Sequence, residues 1–263
     1  MESVEVVVVA FITLVGLAIG SFLNVVIWRV PRGESVVSPP SHCPTCDAEI
    51  RTRDNIPVVS WLILRGRCRD CGAPISARYP GVEALTGGLF LAMALTFGLT
   101  WQLPAYLYLT AVGVALAFID LDTKRLPNVL TLPSYPIMAA LLLIPAVADG
   151  LWGDYVRAML GALALFAFYL LLALVYPAGM GMGDVKLAGV LGMALAWLGW
   201  GEWFVGSFLA FLLGAVVGLG LMLFRGAGRR SAIPFGPFML GGAFLGILLG
   251  SAIADWYVGQ LGI

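Results

Sequence analysis

Charge is what this sequence lacks most. Of its 263 residues, 15 are Lys or Arg and 15 are Asp or Glu, only 11% of the chain, where a soluble domain carries about a quarter. Too few polar groups remain to wet a globular surface, while 60% of the residues are apolar and the mean hydropathy is +0.97. Lipid is therefore the solvent for most of the chain. The formal net charge of zero argues against a nucleic-acid partner. Histidine occurs once, as His42, and cysteine four times, all between residues 43 and 71. No Gly-x-Gly-x-x-Gly dinucleotide fingerprint, internal repeat or low-complexity tract is present.

What is abundant is long apolar runs. Residues 6–28 carry no charge over 23 positions, close to the roughly 20 that cross a bilayer. Residues 84–119 run charge-free for 36 positions, too long for one span, and Gln102 with Pro104 divides them into two. Further runs cover 126–148, 158–183, a shorter 187–201, 203–224 and 231–254. The expected fold is an all-α polytopic integral membrane protein of about eight transmembrane helices, the sixth having the weakest signal. The expected partition is a first transmembrane helix over 1–28, a cytoplasmic four-cysteine module over 29–80 and a membrane domain over 81–263. The first run is acidic at its start (Glu2, Glu5) and too long for a cleaved signal, so it reads as a retained anchor.

Basic residues mark cytoplasmic loops. Eight of the fifteen (Arg29, Arg32, Arg51, Arg53, Arg65, Arg67, Arg69 and Arg78) lie between the first and second spans. Threading the spans alternately from there puts Lys124, Arg125, Lys186, Arg225, Arg229 and Arg230 on the same side. Arg157 alone falls outside. Glu2, Glu5, Asp149, Asp154, Glu202 and Asp255 join it there, so both termini are expected outside.

Cys43-Pro-Thr-Cys46 and Cys68-Arg-Asp-Cys71 are two C-x2-C knuckles. Two such pairs place four thiolates tetrahedrally around zinc, and the charge pattern puts them in the reducing cytosol, where disulfides rarely persist. Four thiolates leave no open position, so such a zinc is structural. A pair of redox dithiols, or unrelated buried cysteines, is the alternative. His42 adjoins Cys43 but is redundant as a ligand. A ribbon of about fifty residues has little core of its own, so metal binding would assist its folding.

Carboxylates at a membrane boundary are costly and so mark candidate sites. The first is Phe118-Ile-Asp120-Leu-Asp122-Thr-Lys-Arg-Leu-Pro127-Asn128, at the end of the third span. The second is Gly179-Met-Gly181-Met-Gly183-Asp184-Val-Lys186, where the fifth span gives way to the sixth. Alternate threading brings Asp120 and Asp184 to one depth on the cytoplasmic side. Two carboxylates held close share a proton. The ionised one activates water, and the protonated one polarises a carbonyl and assists a leaving amine. Gly181 and Gly183 free the backbone and let another helix or a substrate approach Asp184. The alternatives are that Asp184 only caps a helix and that Asp120 only pairs with Lys124 or Arg125. Asp122, two helical positions from Asp120, points to another face.

At these residues the chain resembles the type IV prepilin peptidase family, bifunctional leader peptidases and N-methyltransferases of pilus and type II secretion systems. The resemblance runs in order through Gly20-Ser-Phe-Leu-Asn-Val-Val-Ile-Trp-Arg29, both knuckles, and Asn55-Ile-Pro-Val-Val-Ser-Trp-Leu62. It continues through Arg65-Gly-Arg-Cys68, Ile75-Ser-Ala-Arg-Tyr-Pro80, both aspartate motifs and Ile233-Pro-Phe-Gly-Pro237. It implies a bacterial inner-membrane Gly-x-Gly-Asp aspartic protease with Asp120 and Asp184 as the catalytic pair. It also implies prepilin or pseudopilin substrates cut after a glycine at the cytoplasmic face, and methylation of the new amino terminus from S-adenosylmethionine. Asn128 departs from the Asp that many members carry. Without a Rossmann fingerprint, S-adenosylmethionine binds by other means, and Asn24 and Glu83 are polar candidates with equally good structural roles. A peptidase-only preflagellin enzyme conflicts with the cysteine module. An ion-coupled transporter using the two aspartates predicts repeats that are absent, and a zinc-ribbon scaffold leaves the aspartates without a role.

Overall fold

The computed structural model describes residues 3–177, 179–225 and 233–261; Glu2, Arg229, Arg230 and the start of the 231–254 run lie outside these. The described residues form helices and turns, with two isolated antiparallel bridges in place of strands. The chain divides into two compact units, Met1–Ala115 and Leu116–Ile263.

The first unit holds helix α1 (Ser3–Arg29), the cysteine module with its short α2 (Val59–Ile63), α3 (Arg78–Phe97) and the opening of α4 (Leu103–Thr123). α1 and α3 pack through small residues, which lets two apolar helices exchange close backbone contacts where lipid supplies no hydrophobic drive. A Cβ on Gly16 would meet the Phe90 side chain at 2.7 Å, and one on Gly20 would meet Glu83 Cα at 2.7 Å. Phe97 stacks on Tyr106 with ring centroids 4.1 Å apart, closing the turn between α3 and α4.

The second unit holds the end of α4, α5 (Asn128–Ala148), α6 (Trp152–Val175), α7 (Met182–Leu198), α8 (Trp200–Arg225) and α9 (Gly236–Leu261). α5 carries Pro133, Pro136 and Pro145 in its interior. Neighbouring helices and hydroxyls make such prolines tolerable in a membrane, and Thr131 and Ser134 donate back to the carbonyls of Pro127 and Leu130.

Seven of the described helices are long and apolar enough to cross a membrane: α1, α3, α4, α5, α6, α8 and α9. The sixth expected span appears as α7, with only 17 residues. At about 1.5 Å per residue it is roughly 25 Å long, short of a hydrocarbon core of about 30 Å. It is also buried all round, with every residue from Leu187 to Trp197 covered, which is why its sequence is apolar on every face.

Glycine lets α6 lie against α7 backbone to backbone. A Cβ on Gly161 would collide with Ala196 Cβ, and one on Gly192 would stand 2.5 Å from Gly161 O. Gly206 and Gly242 do the same for α8 and α9, where a Cβ on Gly242 would stand 2.7 Å from Gly206 O. Gly192→Val is expected to cost about 1–3 kcal/mol through overpacking and to lower the melting temperature in detergent. Gly153→Val, whose added Cβ meets nothing within 4 Å, is expected to leave it unchanged.

Candidate active site and metal centre

Asp120 lies in the last turn of α4 and is only 4% exposed. The helix stops just beyond it because Lys124 turns left-handed (φ 54°), with its N–H bonded to Asp120 O at 2.8 Å. Leu126-Pro127 then leads into α5. The buried carboxylate meets a donor from a distant part of the chain: the N–H of Gly236, first residue of α9, reaches Asp120 Oδ2 at 3.0 Å. A helix amino terminus carries partial positive charge and free N–H groups, so it suits a carboxylate.

The segment that delivers Gly236 is anchored by aromatic packing. Phe235 stands 5.4 Å from Phe211 of α8 and 6.3 Å from Tyr169 of α6, centroid to centroid. The Ile-Pro-Phe-Gly-Pro string thus has a physical meaning that the sequence alone left unstated. Phenylalanine anchors and glycine donates, and its hydrogen-side face leaves room, since a Cβ there would stand 2.8 Å from Asp120 Oδ2.

Asp184 occupies the third position of α7, with Gly181 as the capping residue. Its Oδ2 accepts the Gly181 N–H at 3.2 Å, which is the carboxylate half of a capping box. Leu126 joins the two motifs: a Cβ on Gly183 would meet Leu126 Cβ at 3.0 Å, and one on Gly236 would meet Leu126 Cδ2 at 3.4 Å. Asp120 and Asp184 thus both lie beside Leu126, one through the Gly236 that binds it and the other through its neighbour Gly183. Asp122 is exposed, on another face of α4 from buried Asp120.

Two side chains fix the opening of α7. Tyr135 of α5 donates its hydroxyl to Lys186 O at 2.7 Å, lying so tightly on Gly189 that a Cβ there would collide with it. Lys186 Nζ donates to Asn128 Oδ1 at 2.9 Å, so the amide that departs from the resembled pattern serves as a neutral acceptor.

In the first unit the four cysteine sulfurs all lie within 4.8 Å of one another, with Cys43 Sγ and Cys71 Sγ 3.8 Å apart. A tetrahedron with Zn–S bonds of about 2.3 Å has S···S edges of about 3.8 Å, so this donor set fits zinc. The knuckles repeat one geometry. Cys43 N–H bonds to Ala48 O at 2.9 Å and Cys68 N–H to Ala73 O at 2.8 Å. Each knuckle turns left-handed after its second cysteine, at Asp47 (φ 59°) and Gly72 (φ 72°). The backbone N–H groups of Thr45 and Cys46 pull the Cys43 thiol down to about 6. The neighbouring sulfurs of Cys71, Cys43 and Cys68 push Cys46 up to about 12, so one thiolate is favoured and its charge opposes a second. His42 bonds instead to Pro40 O and faces Asp47. Arg69 grips Asp54 through both carboxylate oxygens and holds that carboxyl below its usual range.

Asn24 donates to Gly20 O and Tyr79 O. Glu83, 8% exposed, accepts the Val58 N–H at 2.7 Å, pinning a residue held at φ 62°. Both polar candidates for methyl-donor binding are thus engaged with backbone.

A pair of carboxylates at one end of a helical membrane bundle is the donor set that an intramembrane aspartic protease would use. Residues 14–97 match the bacterial peptidase A24 N-terminal domain, and residues 107–219 match the type IV leader peptidase family. A prepilin leader peptidase/N-methyltransferase of Aeromonas hydrophila is 41% identical, covering 95% of this chain and 93% of its own. Those of Pseudomonas aeruginosa and Neisseria gonorrhoeae are 37% and 39% identical, covering 93% and 84% of this chain and 91% and 84% of their own. No solved structure matches. The chain belongs to the type IV leader peptidase family and is a multi-pass inner-membrane protein.

Purified protein is expected to hold about one zinc per chain, with all four cysteines as ligands. Cys→Ser at any of them should lower both zinc content and protein yield. Active, unoxidised protein that contains no zinc on metal analysis would refute this assignment.

Proposed function

We propose that this chain removes the leader peptide of type IV prepilins and pseudopilins at the cytoplasmic membrane face and then N-methylates the exposed amino terminus. The observation that supports the peptidase reading is that Leu126 lies against both Gly183, beside Asp184, and Gly236, whose N–H binds buried Asp120. The relatives' names support both activities. A leader is short, basic and followed by an apolar helix, so its basic end stays cytoplasmic by the same charge rule that orients the enzyme. The scissile bond then reaches the depth of the two aspartates.

In the proposed mechanism Asp120 and Asp184 share one proton. The ionised carboxylate takes a proton from water as the water attacks the scissile carbonyl carbon, while the protonated one donates to the carbonyl oxygen. The tetrahedral species collapses as the C–N bond breaks, and a carboxyl proton passes to the leaving amine. The Gly236 and Gly181 N–H groups orient the carboxylates, and Gly181 with Gly183 keeps side chains away from the approach to Asp184. Zinc would be held by Cys43, Cys46, Cys68 and Cys71 and would supply structural cross-linking of residues 29–80. Methylation needs a free nucleophilic amine and a positioned donor, S-adenosylmethionine by the family's chemistry, with no requirement for two carboxylates sharing a proton.

Asp120→Asn and Asp184→Asn are each expected to abolish leader cleavage of a synthetic prepilin in detergent while the protein stays folded. Asp122→Asn should keep substantial activity, and the reverse pattern would show the pair to be misassigned. Both inactive variants are expected to methylate a pre-cleaved pilin peptide, read as incorporation of a labelled methyl group. Loss of incorporation in a folded variant would mean that the two reactions share one site.

A further inference from the structure

Arg157 is the one basic residue that the charge pattern leaves on the wrong side. In the second unit it projects from α6 to the end of α7, where Nε donates to Ala196 O at 2.6 Å and Nη2 to Trp197 O at 2.6 Å and Leu198 O at 3.2 Å. The last four carbonyls of a helix lack intrahelical partners. Here the fourth, Leu195 O, takes the Gly199 N–H at 3.2 Å, so all four are satisfied and three of them by one guanidinium. Asp154, one turn earlier on α6, holds Nη2 at 2.8 Å. Arginine suits this position because its planar fork spans several acceptors and its charge complements the negative end of the helix dipole.

We propose that Arg157 is a positioning residue for peptide hydrolysis, setting the axial placement of α7 and thereby of Asp184 at its other end. The inference rests on the peptidase reading above. A helix slides along its axis unless something holds it, and glycine contacts such as Gly161 on Gly192 resist separation better than sliding. Tyr135 grips the first turn of α7 through Lys186 O, and Arg157 grips the last. Between them the helix behaves as a rigid rod, so an error at Leu198 is transmitted to Asp184. This also accounts for a cation on the disfavoured side: it is consumed by helix carbonyls and by Asp154.

The test uses the full-length protein in detergent and a synthetic prepilin peptide, assayed well below each variant's melting temperature. Arg157→Gln is expected to lower kcat by about 10- to 100-fold, the scale of a roughly 1 Å misplacement, with KM unchanged because the substrate-binding surface is untouched. Arg157→Lys, a point charge that cannot span three carbonyls, should fall between. A smaller folded fraction lowers apparent kcat too, but it leaves the pH profile in place. Carboxylates moved apart couple less, so the bell-shaped profile should narrow. A folded Arg157→Gln protein with wild-type kcat, or with reduced kcat and an unmoved profile, would overturn the proposal. Should that variant fail to insert, Arg157→Lys and Asp154→Asn decide: a lowered kcat with a narrowed profile in either supports positioning, and wild-type behaviour in both overturns it. Wild-type protein that leaves the prepilin intact would instead overturn the peptidase reading.

Discussion

The second unit is organised around the ends of a helix too short for the membrane it lies in. Seventeen residues at about 1.5 Å each make about 25 Å, short of a core of about 30 Å, and the unpaired groups at the ends of α7 are met by protein. An unpaired backbone group in hydrocarbon costs several kcal/mol. At the amino-terminal end the answer is the Asp184 carboxylate on the Gly181 N–H; at the carboxy-terminal end it is the Arg157 guanidinium. The requirement that ends α7 early is the same one that draws charged side chains into the bundle. A carboxylate placed there for capping is already half-buried and held by a hydrogen bond, as a general acid or base must be held.

Close packing makes such placement durable. Gly161, Gly192, Gly206 and Gly242 bring α6 to α7 and α8 to α9 at backbone distance, which excludes lipid and fixes spacing without bulky side chains. The Tyr169, Phe211 and Phe235 rings do the opposite job, filling the wider gap beside α9 and fixing Gly236 against Asp120. Small residues set helix separation, and aromatic residues fix the segment that leads into α9.

Much of this was legible in the sequence because lipid imposes a simple grammar. Charge-free runs correspond to helices, and the two C-x2-C pairs to a sulfur cluster of tetrahedral dimensions. The motif around Asp120 and the one around Asp184 could be read as junctions between spans, which is where α4 and α7 place them. The signal was weakest at α7 for a physical reason: a helix wrapped by protein is as apolar as one wrapped by lipid, so hydropathy does not separate them and length must. The roles of Gly236, Tyr135 and Arg157 were illegible because each acts over a separation of about forty residues or more, and the hydrogen bond each makes leaves no mark on its partner's sequence. Arg157 did leave one trace, as the exception to the charge rule.

The chain's two compact units and its two family matches divide the molecule in a similar way, with 1–115 and 116–263 on one side and 14–97 and 107–219 on the other. Every group tied to the aspartate pair lies in the second unit: Leu126, Asn128, Tyr135, Arg157, Tyr169, Lys186 and Gly236. Every sulfur, with Arg69, Asp54 and the Glu83-pinned turn at Val58, lies in the first. A hydrolytic site made from helix ends needs a rigid bundle, whereas a small polar module needs a metal or an ion-pair frame to hold its loops. The cysteine module meets its need by thiolate clustering and the aspartate bundle by glycine packing, a device that α1 and α3 of the first unit share.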